Sequence, residues 1–298
     1  MVNFVLIAVC IIAGMLFRAS KTLPADAHRG INAWIIYIAL PAVSFKYLPH
    51  ITWSKQLIAP VIGPIIIWLG GWVMVQIYAR FRKADQATKG SLRLMSGLAN
   101  TSFVGFPLVA AYLGEKYISV AIICDQITFL LLSTAGVVVS INASKRSALS
   151  AGVVLKRVLH FPPLLGCVGA LVIPHFINIT IAEPFFDKLA ATVAPMALFS
   201  IGLQLQFKGW RDEIKDISTV LLYKLILAPL LVLGVFLLLG LKGLMPQVAI
   251  MEAAMPTLLS AGIVADEYGL NPRLSNLIIG IGIILSLLTT CGWYYIIR

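Results

Sequence analysis

The sequence predicts an all-α membrane protein with ten transmembrane helices in a 5+5 inverted repeat. Spans 4 and 9 are broken crossover helices, and both termini lie outside. Three observations predict this. Of the 298 residues, 60% are hydrophobic and only 12% charged, and the mean hydropathy is +0.95. Uncharged runs recur along the whole chain, and basic residues crowd alternate loops between them. The two halves also repeat a pattern of mid-span prolines.

Composition narrows the function classes. Soluble domains use roughly 45–50% apolar and about 25% charged residues, and disorder needs low hydrophobicity with high charge. Both are excluded. The net charge of +11 would suggest nucleic acid in a soluble chain. Here it reads as the basic bias of cytoplasmic loops, so no nucleic-acid partner is expected. Cys10, Cys124, Cys167 and Cys291 lie in apolar runs without ligand spacing, which makes them small hydrophobes. No metal site or cofactor is expected. No HExxH, Walker or Ser-His-Asp pattern appears, so an enzyme is not expected either. His28, His50, His160 and His175 fall at span edges or in loops.

A span needs about 20 apolar residues, and the runs supply ten. The first is 2–17; its basic residues Arg18 and Lys21 follow it, the reverse of a signal peptide, so it is read as a retained span. The others are 31–48, 56–79, 94–114, 117–141, 158–177, 189–207, 217–241, 246–265 and 274–297. One set of loops carries Arg18, Lys21 and Arg29; Arg80, Arg82, Lys83, Lys89 and Arg93; Lys145, Arg146, Lys156 and Arg157; Lys208, Arg211 and Lys215; and Arg273. The other set holds only Lys46, Lys55, Lys116, Lys188, Lys242 and Arg298. The first set belongs in the cytoplasm, which puts the termini outside a multi-pass protein of the cell (inner or plasma) membrane. Trp53, Trp210, Trp293 and Tyr294 read as interfacial belt residues, and Gly70-Gly71 as close helix packing.

The repeat divides the chain into residues 1–143 and 155–298. Pro41 and Phe45 in span 2 match Pro195 and Phe199 in span 7. Pro107 in span 4 matches Pro256 in span 9 at nearly the same offset, with Gly114 and Gly262 following. Five spans separate each pair, an odd number, so the repeats are inverted. A mid-helix proline removes a donor and clashes with the preceding turn, and irregular backbone at that depth must be buried or line a cavity. Asn100, Thr101, Ser102 and Gly105 precede Pro107, and Thr257, Ser260 and Gly262 follow Pro256. Each span reads as two half-helices, the second starting near its proline. Their N–H groups then favour an anion near the midplane, the pattern of a secondary-transporter site. The candidate substrate residues are Asn100, Thr101, Gly105, Pro107, Pro256, Thr257 and Ser260.

LANTSFVGFPLVAAYLG and MEAAMPTLLSAGIVADEYGLNPRLSNLIIGIGI resemble the broken fourth and ninth spans of the auxin efflux carrier family. YIALPAVSFKYL and MALFSIGLQL resemble its second and seventh spans. The resemblance implies a bile-acid/auxin/sodium–proton-antiporter-like fold. Spans 1, 2, 6 and 7 would form a dimerising scaffold, and spans 3–5 and 8–10 a mobile transport domain. It also implies that Asn100 contacts a substrate carboxylate, that Pro107 and Pro256 are crossover prolines, and that Gln126 lies near an ion-like support site. The chain lacks the long middle loop of the plant members and a carboxylate in span 3, and Glu252 precedes its second crossover proline. A bacterial-type permease for small organic acids fits better than auxin transport.

Ionisable residues within spans are costly and usually face the bundle interior. Glu252 could carry a proton, join a sodium site, or hydrogen-bond the broken backbone. Asp125, beside Gln126, could complete a cation site, carry a proton, pair with Lys224, or face water at the outer mouth. Lys224 could neutralise a substrate carboxylate, pair with a carboxylate, or snorkel to the cytoplasm. Lys46 reads as a snorkelling residue. The expected partners are a small organic anion, the lipid bilayer, a coupling ion (Na+ or H+) and, by resemblance, a second copy of the chain. A sodium-coupled bile-acid-like symporter and a non-transporting ligand sensor remain as alternatives.

Overall fold

A computed structural model describes residues 2–51, 54–144, 152, 156, 159–205 and 210–298. Trp53, Lys145, Arg146, Arg157 and Lys208, used above to read loops and belts, lie outside the described residues. Among the described residues the chain is all helix, with one isolated antiparallel bridge, Ala99 to Thr257. Six helical stretches are long and apolar enough to cross a membrane: Ala27–His50, Lys55–Arg82, Glu115–Ala143, Thr180–Gln204, Trp210–Leu238 and Pro272–Ile297. Asn3–Ala19, Thr101–Tyr112 and Pro162–His175 are shorter apolar helices.

The chain divides into two compact units. The first comprises Met1–Trp53, Ser102–Ile122 and Lys156–Leu205. Its helices are α1 (Val2–Ala19), α2 (Ala27–Trp34), α3 (Leu40–Tyr47), α6 (Phe106–Tyr112), the start of α7 (Ile118–Leu131), α9 (Pro162–Val172), α10 (Glu183–Ala190) and α11 (Val193–Gln204). α1 and α11 touch backbone to backbone: a Cβ on Gly14 would strike the Phe199 carbonyl, and one on Gly202 the Ile11 carbonyl. Small residues permit such contact where apolar burial alone drives no association. Trp34 Nε1 donates to Thr192 Oγ1 at 3.0 Å, and Arg18 Nη1 to the Leu203 carbonyl at 2.6 Å. Phe45 stacks on Phe186 with centroids 4.8 Å apart. Lys46 does not simply snorkel: its Nζ lies 3.2 Å from Asp187. The helical stretch starts at Thr180, before the uncharged run that begins at residue 189.

The second unit comprises Ser54–Thr101, Ile123–Leu155 and Gln206–Arg298. Its helices are α4 (Ile58–Arg82), α5 (Gln86–Gly97), the rest of α7, α8 (Val137–Ala143), α12 (Ile214–Leu222), α13 (Ala228–Leu238), α14 (Leu244–Ala253), α15 (Leu259–Glu267) and α16 (Pro272–Ile297). Local capping sets several starts. Asp85 accepts from the Thr88 N–H at 2.6 Å to open α5. Asn271 accepts from the Leu274 N–H at 3.1 Å to open α16, whose first turn holds Pro272. Such caps satisfy donors that a helix start leaves unpaired. α4 and α5 meet at Gly71 and Gly97, where an added Cβ would lie 2.9 Å from Ser96 Oγ and 2.6 Å from the Trp68 ring respectively. Asp216, 1% exposed, accepts from Tyr78 Oη at 2.6 Å and Arg82 Nε at 3.1 Å. The helical stretch begins at Trp210, ahead of the uncharged run that starts at 217.

Candidate functional site

The centre of the second unit is where two helices stop. α5 ends at Gly97 and α14 at Ala253, and the chain is non-helical at residues 98–100 and 255–258. The two gaps serve each other. Asn100 N–H donates to the Pro256 carbonyl at 2.8 Å, and Leu258 N–H to the Leu98 carbonyl at 3.1 Å. This short antiparallel ladder satisfies peptide groups that could not be left bare in a lipid environment. Pro256 lacks an N–H, yet its carbonyl is the acceptor, so proline fits the position. Thr257 Oγ1 donates to the Met95 carbonyl at 2.7 Å, closing the end of α5.

Polar side chains gather on this ladder. Asn100 and Thr257 are 0% exposed and Thr101 1%. Thr101 Oγ1 donates to Asp125 Oδ1 on α7 at 2.6 Å. One turn before the second gap, Glu252 is 1% exposed. Among the described residues neither of its carboxyl oxygens has a hydrogen-bond partner, nor has Gln126 Oε1. Lys224 is 0% exposed and its Nζ donates to the Ala253 carbonyl at 3.0 Å. It therefore does not snorkel; burial and a buried acceptor hold it inside. It sits in a π turn, Tyr223–Leu227, anchored by Tyr223 Oη donating to the Ile67 carbonyl at 2.6 Å and Trp293 Nε1 donating to the Leu225 carbonyl at 2.8 Å. Trp293, 3% exposed, is thus an internal anchor and not an interfacial belt residue.

The two prolines, matched in the repeat, stand in different local settings. The backbone pairs Ala99 with Thr257, and Pro107 lies in the first turn of α6, after a π turn at Thr101–Gly105. The π turn runs directly into α6, and its wider spacing accommodates a residue without an N–H. The break therefore precedes Pro107 by two turns, whereas Pro256 lies in its own break. Gly105 and Pro107 belong to the first unit; Asn100, Thr101, Asp125, Gln126, Lys224, Glu252, Pro256, Thr257 and Ser260 belong to the second. Ser260, half-buried, is in the first turn of α15, whose start has no side-chain cap. Sequence reasoning missed the carbonyls of Met95 and Ala253, because main-chain acceptors leave no trace in residue identity.

Comparison with known proteins decides the class. The membrane transport protein family matches residues 1–152 and 140–294, essentially the whole chain. The chain belongs to that family. The transporter is 27% identical over 292 residues to an uncharacterized transporter of Methanothermobacter thermautotrophicus, covering 96% of this chain and 95% of the relative. It is 25% identical over 292 residues to a "putative malonate transporter" of Rhizobium meliloti, covering 92% of this chain and 88% of that protein. A 104-residue stretch is 36% identical to auxin efflux carrier component 6 of Arabidopsis thaliana, covering 34% of this chain and 18% of that protein. The chain is thus a multi-pass membrane transporter related to the auxin efflux carriers, and not an enzyme.

Proposed function

We propose that the transporter is a secondary active carrier for a small organic anion such as a carboxylate, with its site at the crossing of the two interrupted segments. The observation that carries this reading is the buried ladder of residues 98–100 and 256–258, with Asn100, Thr101 and Thr257 set along it. The N-terminal turn that starts α15 leaves peptide donors without intrahelical partners, and its dipole favours negative charge. A carboxylate would be held there by Asn100, Thr101, Thr257 and Ser260. Gly105 and Pro107 would shape the turn that follows Thr101, and Pro256 the second gap. Glu252, Asp125, Gln126 and Lys224 would couple an ion, Na+ or H+, to the anion. The malonate named for one relative supports a dicarboxylate among the substrates.

The antiparallel sense of the Ala99–Thr257 bridge supports segments entering the membrane from opposite sides. Such entry agrees with the proposed ten-span, 5+5 inverted repeat, for which the loop charges place both termini outside the cytoplasm. Spans 1, 2, 6 and 7 would act as a dimerising scaffold and spans 3–5 and 8–10 as the moving part, giving alternating access. The test is uptake by proteoliposomes of labelled mono- and dicarboxylates, with sodium or pH gradients imposed in turn. Saturable uptake of one acid is the expected result. Absence of flux with retained binding would favour a ligand sensor, and strict sodium dependence a bile-acid-like symporter.

A further inference from the structure

The last carbonyls of α14 are all engaged. Those of Ile250 and Met251 accept from Ala254 N–H, each at 3.1 Å, and that of Glu252 accepts from Met255 N–H at 3.2 Å. The fourth, Ala253, has no such backbone donor beyond it because the chain leaves the helix; its partner is Lys224 Nζ at 3.0 Å. This is the negative end of a half-helix dipole, where a cation is favoured. In carriers with broken helices, half-helix C-termini and unwound carbonyls are where coupling cations bind. At the other gap the corresponding end, that of α5, is closed by a neutral hydroxyl, Thr257 Oγ1 to Met95 O at 2.7 Å. The two ends thus differ in their donor, a lysine nitrogen at one and a hydroxyl at the other.

A second observation points the same way. Glu252 is 1% exposed and both its oxygens lack hydrogen-bond partners among the described residues. A carboxylate so placed needs a nearby positive charge. Lys224 is the positive charge that acts on it through space.

Resting on the carrier reading above, we infer that the Lys224 ammonium is a built-in cation at the end of α14, occupying the place a bound sodium ion would take, so that no sodium binds there and, of the two coupling ions named above, the proton is the one coupled. The ammonium reaches its carbonyl from a π turn pinned on both sides by Tyr223 and Trp293. Such a turn is a local deformation that redirects one side chain. The side chain is therefore held at that carbonyl in every turnover, whereas a free ion would leave.

The test uses purified full-length protein and thermal melts in sodium chloride against N-methyl-D-glucamine chloride. Wild type is expected to melt at the same temperature in both. Lys224→Ala should melt lower, and sodium or n-propylammonium, the part of the side chain removed, should restore it by about 5 °C at saturation. Lys224→Met fills the space without charge, and neither cation should restore it. Sodium stabilisation of wild type would overturn the inference, even if Lys224→Ala cannot be isolated. So would a Lys224→Ala protein indifferent to both cations. Failure to find any transported acid would count against the carrier reading and leave these melts unchanged.

Discussion

The Thr101 hydroxyl donates to Asp125 Oδ1 at 2.6 Å, tying the first residue after the α5 gap to the middle of α7. Asp125 is only 6% exposed, so the hydroxyl serves a buried carboxyl. Thr101→Val keeps the shape and removes the donor. It should destabilise by about 1.5–3 kcal/mol, the usual worth of a hydrogen bond to a charged group, whereas Thr101→Ser should lose under half of that. Thermal melts of both variants check it, and equal melting for wild type and Thr101→Val would refute it.

Asn100 is fully buried, and its backbone is already committed to Pro256. Its side chain is the part assigned above to a substrate carboxylate. Asn100→Ala should weaken carboxylate binding about ten- to a hundred-fold, the equivalent of roughly 1.4–2.8 kcal/mol, while the ladder keeps the protein folded. Binding by isothermal calorimetry decides the matter; unchanged affinity in a well-folded variant would remove Asn100 from the site.

Glu252→Gln preserves size and deletes the charge. If Glu252 is the coupling group, gradient-driven accumulation should be lost while exchange of substrate across the membrane persists. Counterflow and net uptake, measured in the same vesicles, separate the two. Retention of gradient-driven uptake would make Glu252 a structural residue.

Asp216 accepts from both Tyr78 and Arg82 while 1% exposed. Removing a buried acceptor leaves two donors stranded. Asp216→Ala should cost about 3 kcal/mol, at the lower end for broken buried pairs because the Arg82 side chain is 42% exposed. Tyr78→Phe should cost about 1 kcal/mol. Chemical denaturation in detergent measures both.

Gly202 faces the Ile11 carbonyl so closely that any Cβ must push α1 and α11 apart. Gly202→Ala should therefore destabilise by about 1–3 kcal/mol, as overpacking does. Gly234, with open space around its Cβ position, is the control, and Gly234→Ala should be neutral or slightly stabilising because alanine is the better helix former. A melt showing equal effects for the two would reject the contact.

Class and element type were legible because they rest on burial in lipid, a property each residue carries wherever the chain goes. An apolar run predicts a helix in a medium that cannot hydrogen-bond the backbone. Polar residues beside mid-span prolines likewise marked the two gaps, and Asn100, Thr101 and Thr257 do meet there. Uncharged runs do not give the helix ends, because helix continues through Asp187 and Asp216, which are paired with Lys46 and Arg82. Where the gaps join, only the folded chain decides. Proline spacing related Pro107 to Pro256 only as repeat equivalents; ladder register depends on main-chain donors and acceptors from residues far apart in sequence, and it pairs Ala99 with Thr257. The direction of the Lys224 side chain was undetermined for the same reason: water and the Ala253 carbonyl are both acceptable partners for an ammonium, and the choice between them belongs to packing around the π turn.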